Sequence, residues 1–129
     1  MGVILGIGNR GGLSTAELVD VLKRVDSPFV RASFCNAEVM AMLEDPVQAL
    51  TELAPHASGI TLKDWCIWQE GETSAHDGCA LGQGQAKVSE VYETARRLCA
   101  KSPITLEIAT LSPVQTFASL EEEDAVALT

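Results

Sequence analysis

The side chains of this sequence that could do chemistry sit just beyond its apolar stretches. "SGITLKDW" (Ser58 to Trp65) stops in Lys63 and Asp64; Asn9 and Arg10 follow the first apolar run, Asn36 and Glu38 follow "SFC", and Glu107 closes "ITLE". Arg10 could bind a phosphate or carboxylate of a ligand, or pair with an acid of its own surface. Cys35 could act as a thiolate nucleophile only beside a base or cation, and Arg10 is the candidate the sequence offers. Trp65 and Trp68 flank Cys66, where they could wall a sugar or pack against protein. His56 precedes an apolar run, which reads as structural, whereas His76 could be a ligand only if its long connection folds over. Cys35, Cys66, Cys79 and Cys99 form no C-x-x-C pair and no zinc-like cluster, so reduced thiols are expected.

Such groups need elements to position them. Four apolar runs read as buried strands, near residues 3–8, 29–35, 59–63 and 103–109. Leu18, Val19, Leu22 and Val25 recur at helical spacing behind Ser14 and Thr15, which can cap a helix over residues 16–24. Asp45 caps and Pro46 opens a second helix carrying Val47, Leu50 and Leu53. Val88, Val91, Tyr92, Ala95 and Leu98 define a third, over 88–99. "NAEVMAML" reads as a loop, and residues 64–87 as a long connection, functional or flexible. Within 113–129, Val114, Phe117, Ala118 and Leu120 suggest a last helix, followed by a solvated acidic face from Glu121 to Asp124.

The pattern over 1–112 is therefore four β/α units, an α/β fold with parallel strands joined by crossovers. In such folds functional groups gather at the carboxyl ends of the strands. Strands that end in charge are then strands that feed one rim, shared by Asn9, Arg10, Asn36, Glu38, Lys63, Asp64 and Glu107.

Composition removes several classes of partner. The chain has 129 residues, 47% apolar and 21% charged, enough for one globular domain with a core. A net charge of −9 with no Lys/Arg cluster argues against nucleic acid and against an anionic membrane surface. No run approaches the ~20 apolar residues of a membrane span. The start "MGVILGIGNRGG" lacks the basic region of a signal peptide, and Gly6 stands where N-myristoylation uses Ser or Thr. A cytoplasmic protein is expected.

"NRGGLSTAELVDVLKRVDSPFVRASFCNAE" followed by "EDPVQALTELAPHASGITLKDW" resembles the sugar phosphate isomerase/epimerase family, whose fold is the xylose-isomerase-like TIM barrel. Members read ENHGG, a helix, VDSP and a strand ending D-T-G-N, then EDP, a helix, LAP and a strand ending H-x-K-D. "LGQGQAKVSEVYETARRL" resembles the family's L-G-E-G loop and helix, and "ITLEIA" its final strand. The likeness runs from about Val3 to Ala109 and implies four β/α units equivalent to the C-terminal half of a barrel that usually takes ~250 residues.

The resemblance implies a metal-dependent isomerase or epimerase. A divalent metal (Mn, Mg or Zn) is held by Glu, Asp, His (sometimes Gln) and Glu, one from each strand, and two glutamates move a proton between neighbouring carbons. Carried onto this sequence, those positions are Gly8, Cys35, Thr61 and Glu107. Glu107 is then the implied metal ligand and, with Lys63, the implied catalytic group; Asn9, Arg10, Asp64 and Trp65 are the implied substrate contacts. With three ligand positions substituted, the metal site is either absent or rebuilt around a softer ion by Cys35, with Glu38 or Asp64 reaching in. The function implied is proton transfer on a small sugar or keto-sugar, degenerate or dependent on a partner half-barrel. The alternative is a non-catalytic half-barrel that binds or assembles. An inner face expected to be apolar, and two open strand edges, imply a homo-oligomer or a complementary half-barrel chain.

Overall fold

A computed structural model describes residues 2–10, 12–108 and 115–117 of the chain, the last three by backbone alone. Strand β1 (Leu5–Gly8) leads to helix α1 (Thr15–Val25), then to β2 (Val30–Cys35). Helix α1 starts where the sequence says it should. Ser14 accepts from the Glu17 amide while the Glu17 carboxylate accepts from the Ser14 amide, and Glu44 accepts from the Thr15 amide and hydroxyl. Next come the short α2 (Asn36–Met40), α3 (Pro46–Leu53) and a 3-10 turn over Ala54–His56. Asp45 caps α3 by accepting from the amides of Val47 and Gln48, with Pro46 in the first turn.

Strand β3 (Ala57–Leu62) is followed by an antiparallel hairpin, β4 (Asp64–Glu70) and β5 (Thr73–Cys79), then α4 (Val88–Leu98), β6 (Ile104–Leu106) and β7 (Gln115–Phe117). Strands β1, β2, β3 and β6 lie in that order in one sheet, every pair parallel, as an alternating β/α chain requires. Strands β4, β5 and β7 form a second, antiparallel sheet.

The main core fills the space between the parallel sheet and its helices. Phe34, Ile60 and Leu62 from the strands meet Leu18, Leu22, Leu50, Leu53, Val91 and Ala95 from α1, α3 and α4, all buried. Side-chain alternation then turns the neighbouring strand positions to the opposite face. Register places Gly8 beside Ser33 and Ser33 beside Gly59, and lines up Cys35, Thr61 and Thr105. That face is small and rich in hydroxyls, not apolar as expected; the bulky branched residues that usually fill a barrel interior are missing from it.

Four further expectations need correcting. "NAEVMAML" begins as helix α2, because Asn36 to Met40 continues directly from β2 with every residue but Glu38 buried. The 64–87 connection is mostly the β4–β5 hairpin, closed by a two-residue turn with Gly71 at φ 64°. Residues 115–117 pair with β5 as a strand instead of continuing a helix; Val114, Ala118, Leu120 and the acidic run lie outside the described residues. The fourth strand is short, Ile104 to Leu106.

Phe34 is fully buried at the centre of the main core. Phe34→Ala should lower unfolding stability by about 3–5 kcal/mol, read as a shifted urea midpoint.

Candidate functional site

Polar residues one or two positions past the ends of β1, β2 and β3 tie those ends to a neighbouring strand end or loop. Asn9, buried beyond β1, donates from Nδ2 to the Cys35 carbonyl (3.0 Å) and accepts on Oδ1 from the Cys35 amide (2.9 Å). Its carboxamide thus stands in for one more peptide of β1. Asn36, fully buried beyond β2, accepts from the Lys63 amide (2.8 Å) and donates to the Ala86 carbonyl (2.7 Å). Asp64 is 2% exposed, and its carboxylate accepts from four amides: Trp65, Gly82, Gly84 and Ala86, at 2.8–3.0 Å. The 82–86 loop is wrapped around that carboxylate so closely that a Cβ on Gly84 would collide with Asp64 Oδ1 and the Trp65 carbonyl.

These ties hold four charges at the mouth of the sheet. Leu62 and Leu106 are register partners, so Lys63 and Glu107, one step further on, come side by side. Lys63 Nζ lies 2.9 Å from Glu107 Oε1 and 3.5 Å from Glu38 Oε1. Arg10 Nε lies 3.3 Å from that Glu38 oxygen, and Nη2 3.9 Å from Glu107 Oε1. The environments differ: the Lys63 side chain is 9% exposed and Glu38 16%, against 39% for Glu107 and 64% for Arg10. The cluster is buried on its inner side and open on its outer side.

Burial works against the Lys63 charge, but the hydrogen bond to Glu107 and the nearby Glu38 outweigh it and hold the lysine above its usual range. The same hydrogen bond to Lys63 pulls Glu107 below the usual carboxylate range. Both are charged at neutral pH. Desolvation raises the Cys35 thiol, so it stays protonated.

The hairpin contributes the roof. Trp65 packs with Cys35, Ala37, Met40 and Ala86 in a second small core, and its ring lies 5.6 Å from Lys63 Nζ. His76 on β5 folds over as the sequence left open, its ring 3.9 Å from that of Trp65 and tilted by 30°. Burial lowers its pKa, with the charges of Glu38 and Lys63 acting on it in opposite directions.

Of the sequence-derived rim residues, the structure brings together Arg10, Glu38, Lys63 and Glu107. Asn9 and Asp64 are not offered to a ligand: their polar atoms are engaged in tying strand ends and loop. Trp65 is buried in a local core, not presented as a sugar wall. Cys35 is a buried thiol within that core. His76 was within reach of sequence reasoning, because Gly71-Glu72 between two alternating stretches is a hairpin signal.

The implied metal does not fit these residues. Of the four positions, Gly8 and Thr61 offer no charged donor, Cys35 is a buried neutral thiol, and Glu107 is bound by an ammonium group. Among the described residues no three His, Cys, Asp or Glu side chains are grouped to hold a metal ion. Nor is any described helix long and apolar enough to cross a membrane.

Four parallel strands alternating with helices, with polar groups at their carboxyl ends, make the fold that of half a TIM barrel. The chain is similar to a xylose isomerase domain protein of Planctomyces limnophilus, with TM-score 0.63 and 23% identity over 83% of this chain and 39% of that one. It is also similar to the probable 3-DHS dehydratase AsbF of Bacillus anthracis, involved in petrobactin synthesis, with TM-score 0.65 and 14% identity over 99% and 47%. A curated relative, the uncharacterized protein YihM of Escherichia coli, is 30% identical over 83 residues, 64% of this chain. The chain spans 26% of that relative and less than half of either solved chain. No family model matches it.

Asp64→Asn puts an amide group against backbone donors, which should cost about 1–3 kcal/mol in stability. Hydrogen exchange should show the amides of Gly82, Gly84 and Ala86 opening first. The Lys63–Glu107 pair also sets a pH window. Glu107 is depressed in the folded state, so its contribution is present above the unfolded value of about 4.3 and lost as pH falls through the lower, folded one. Lys63 is raised, so its contribution is complete below the unfolded value of about 10.4 and lost only as pH climbs through the higher, folded one. Melting temperatures of the unmodified protein and Glu107→Gln should therefore differ at neutral pH and converge in acid.

Proposed function

We propose that this chain is equivalent to the C-terminal half of a xylose isomerase-like barrel and acts as a sugar phosphate isomerase/epimerase-like protein. Its ligand is a small sugar or keto-sugar at the rim, and its reaction is proton transfer next to a carbonyl. The observation that carries this is the pair of Lys63 and Glu107, 2.9 Å apart at adjoining strand ends and open to solvent on the Glu107 side. Lys63 supplies a fixed positive charge for an oxygen that gains electron density; Glu107 supplies the carboxylate that takes up a proton from the neighbouring carbon. Arg10, the most exposed member, suits a phosphate or carboxylate on the same ligand.

The ion pair also limits this chemistry. A carboxylate held ionised by an ammonium group is a weaker base than a free one, so turnover is slow or degenerate. The closure of all four charges on one another favours a second reading, a non-catalytic half-barrel that binds or assembles. A complementary half supports both readings. Val3, Ile4 and Leu5 are exposed at the β1 edge, and Leu106 and Ile108 at the β6 edge, where a neighbouring barrel unit would cover them. The partner is a second copy or a complementary half-barrel chain. The four free thiols suit the reducing cytoplasm.

Incubation with a panel of aldose phosphates, ketose phosphates and keto acids in D2O should give deuterium next to the carbonyl, read by mass spectrometry. Glu107→Gln should abolish the exchange. Ligand binding without exchange would select the non-catalytic reading, and neither binding nor exchange would end the sugar assignment. Light scattering after size exclusion should find an assembly larger than one chain; a monodisperse monomer at all concentrations would remove the self-association arm.

A further inference from the structure

We infer that the Lys63 ammonium group takes the place of the divalent cation at this rim, so that the site engages a ligand oxygen without a metal ion. This rests on reading the rim as a ligand site, and it concerns what supplies the positive charge there. Three observations carry it.

The first is charge balance. Glu38 and Glu107 bring two negative charges and Lys63 and Arg10 two positive ones, so the cluster is neutral as it stands. A divalent ion would enter against two cations, with no surplus of carboxylate to offset them. The second is burial. To bind a metal, Glu107 would have to release the Lys63 side chain, which is 9% exposed and would be left without its closest counter-ion. The third is donor geometry. An ammonium group has three N–H donors. Two carboxylate oxygens stand near Lys63 Nζ, Glu107 Oε1 at 2.9 Å and Glu38 Oε1 at 3.5 Å, which leaves donor capacity for one further oxygen, such as that of a carbonyl, carboxylate or hydroxyl. The backbone fixes this group in place, because the Lys63 amide donates to buried Asn36 and the ring of Trp65 backs its side chain.

Calorimetric titration of the full chain with Mn2+ and Mg2+ decides the matter, with Glu107→Gln, Lys63→Met and Lys63→Arg as companions. The unmodified protein and Lys63→Arg should give no saturable binding. Lys63→Met, shown to be folded by circular dichroism, frees two carboxylates from their ammonium partner and should gain Mn2+ affinity by about tenfold or more. Saturable Mn2+ binding by the unmodified protein that Glu107→Gln removes would overturn the inference. So would a folded Lys63→Met that binds Mn2+ no better than its parent. Neither result depends on the deuterium exchange: exchange in a protein that binds Mn2+ at Glu107 would leave the function standing and this inference fallen. Exchange that persists in excess EDTA supports both.

Discussion

Everything at the rim depends on buried side-chain amides and one buried carboxylate taking over hydrogen bonding where the parallel strands run out. A parallel strand that ends leaves peptide groups that must find partners if they are to stay away from water. Asn9 supplies both a donor and an acceptor to Cys35, Asn36 does the same for Lys63 and Ala86, and Asp64 satisfies four amides at once. All but the Trp65 tie join segments distant in sequence, so the rim is braced where it is also most polar. The charged side chains are thus carried on a backbone that cannot shift one member without disturbing the next.

That bracing gives the charge cluster its character. Lys63 is not exposed as a surface lysine would be; its backbone amide is held by Asn36, and its ammonium group stands over the Trp65 ring and against Glu107. Glu38 reaches the cluster from the first turn of α2, and Arg10 from the segment after β1. Four elements therefore converge on one point. The rest of the molecule, including the capped helices and the Phe34 core, brings those four starting points within reach of one another.

How much of this the sequence carried can be judged element by element. Apolar periodicity and caps located α1, α3 and α4 because Ser14, Asp45 and Pro46 act locally, and local signals survive in a linear reading. The rim itself was legible, since polarity just past an apolar strand has few explanations in an alternating β/α chain. The roles of Asn9, Asp64 and Trp65 were not. Whether a carboxylate faces a ligand or a backbone nest depends on where residues 82–86 return, some eighteen to twenty-two positions later. Helix α2 escaped notice because five residues are too few to show a period. The hairpin was hidden by its polar content, although its glycine turn marks it in retrospect. The polarity of the inner face needed register, which couples Gly8, Ser33 and Gly59 across three strands.

The small, hydroxyl-bearing inner face bears on how such a unit could have neighbours at all. Glycine, serine, threonine and a single thiol leave little bulk to interlock, and their oxygens keep water bound instead of expelling it. Two such faces brought together would enclose a hydrated lumen, so dry packing through the middle is not what would hold them. Cohesion would have to come from the strand edges and the outer helical layer, and any second half supplying large side chains to the interior would meet a polar face of small residues with little bulk of its own.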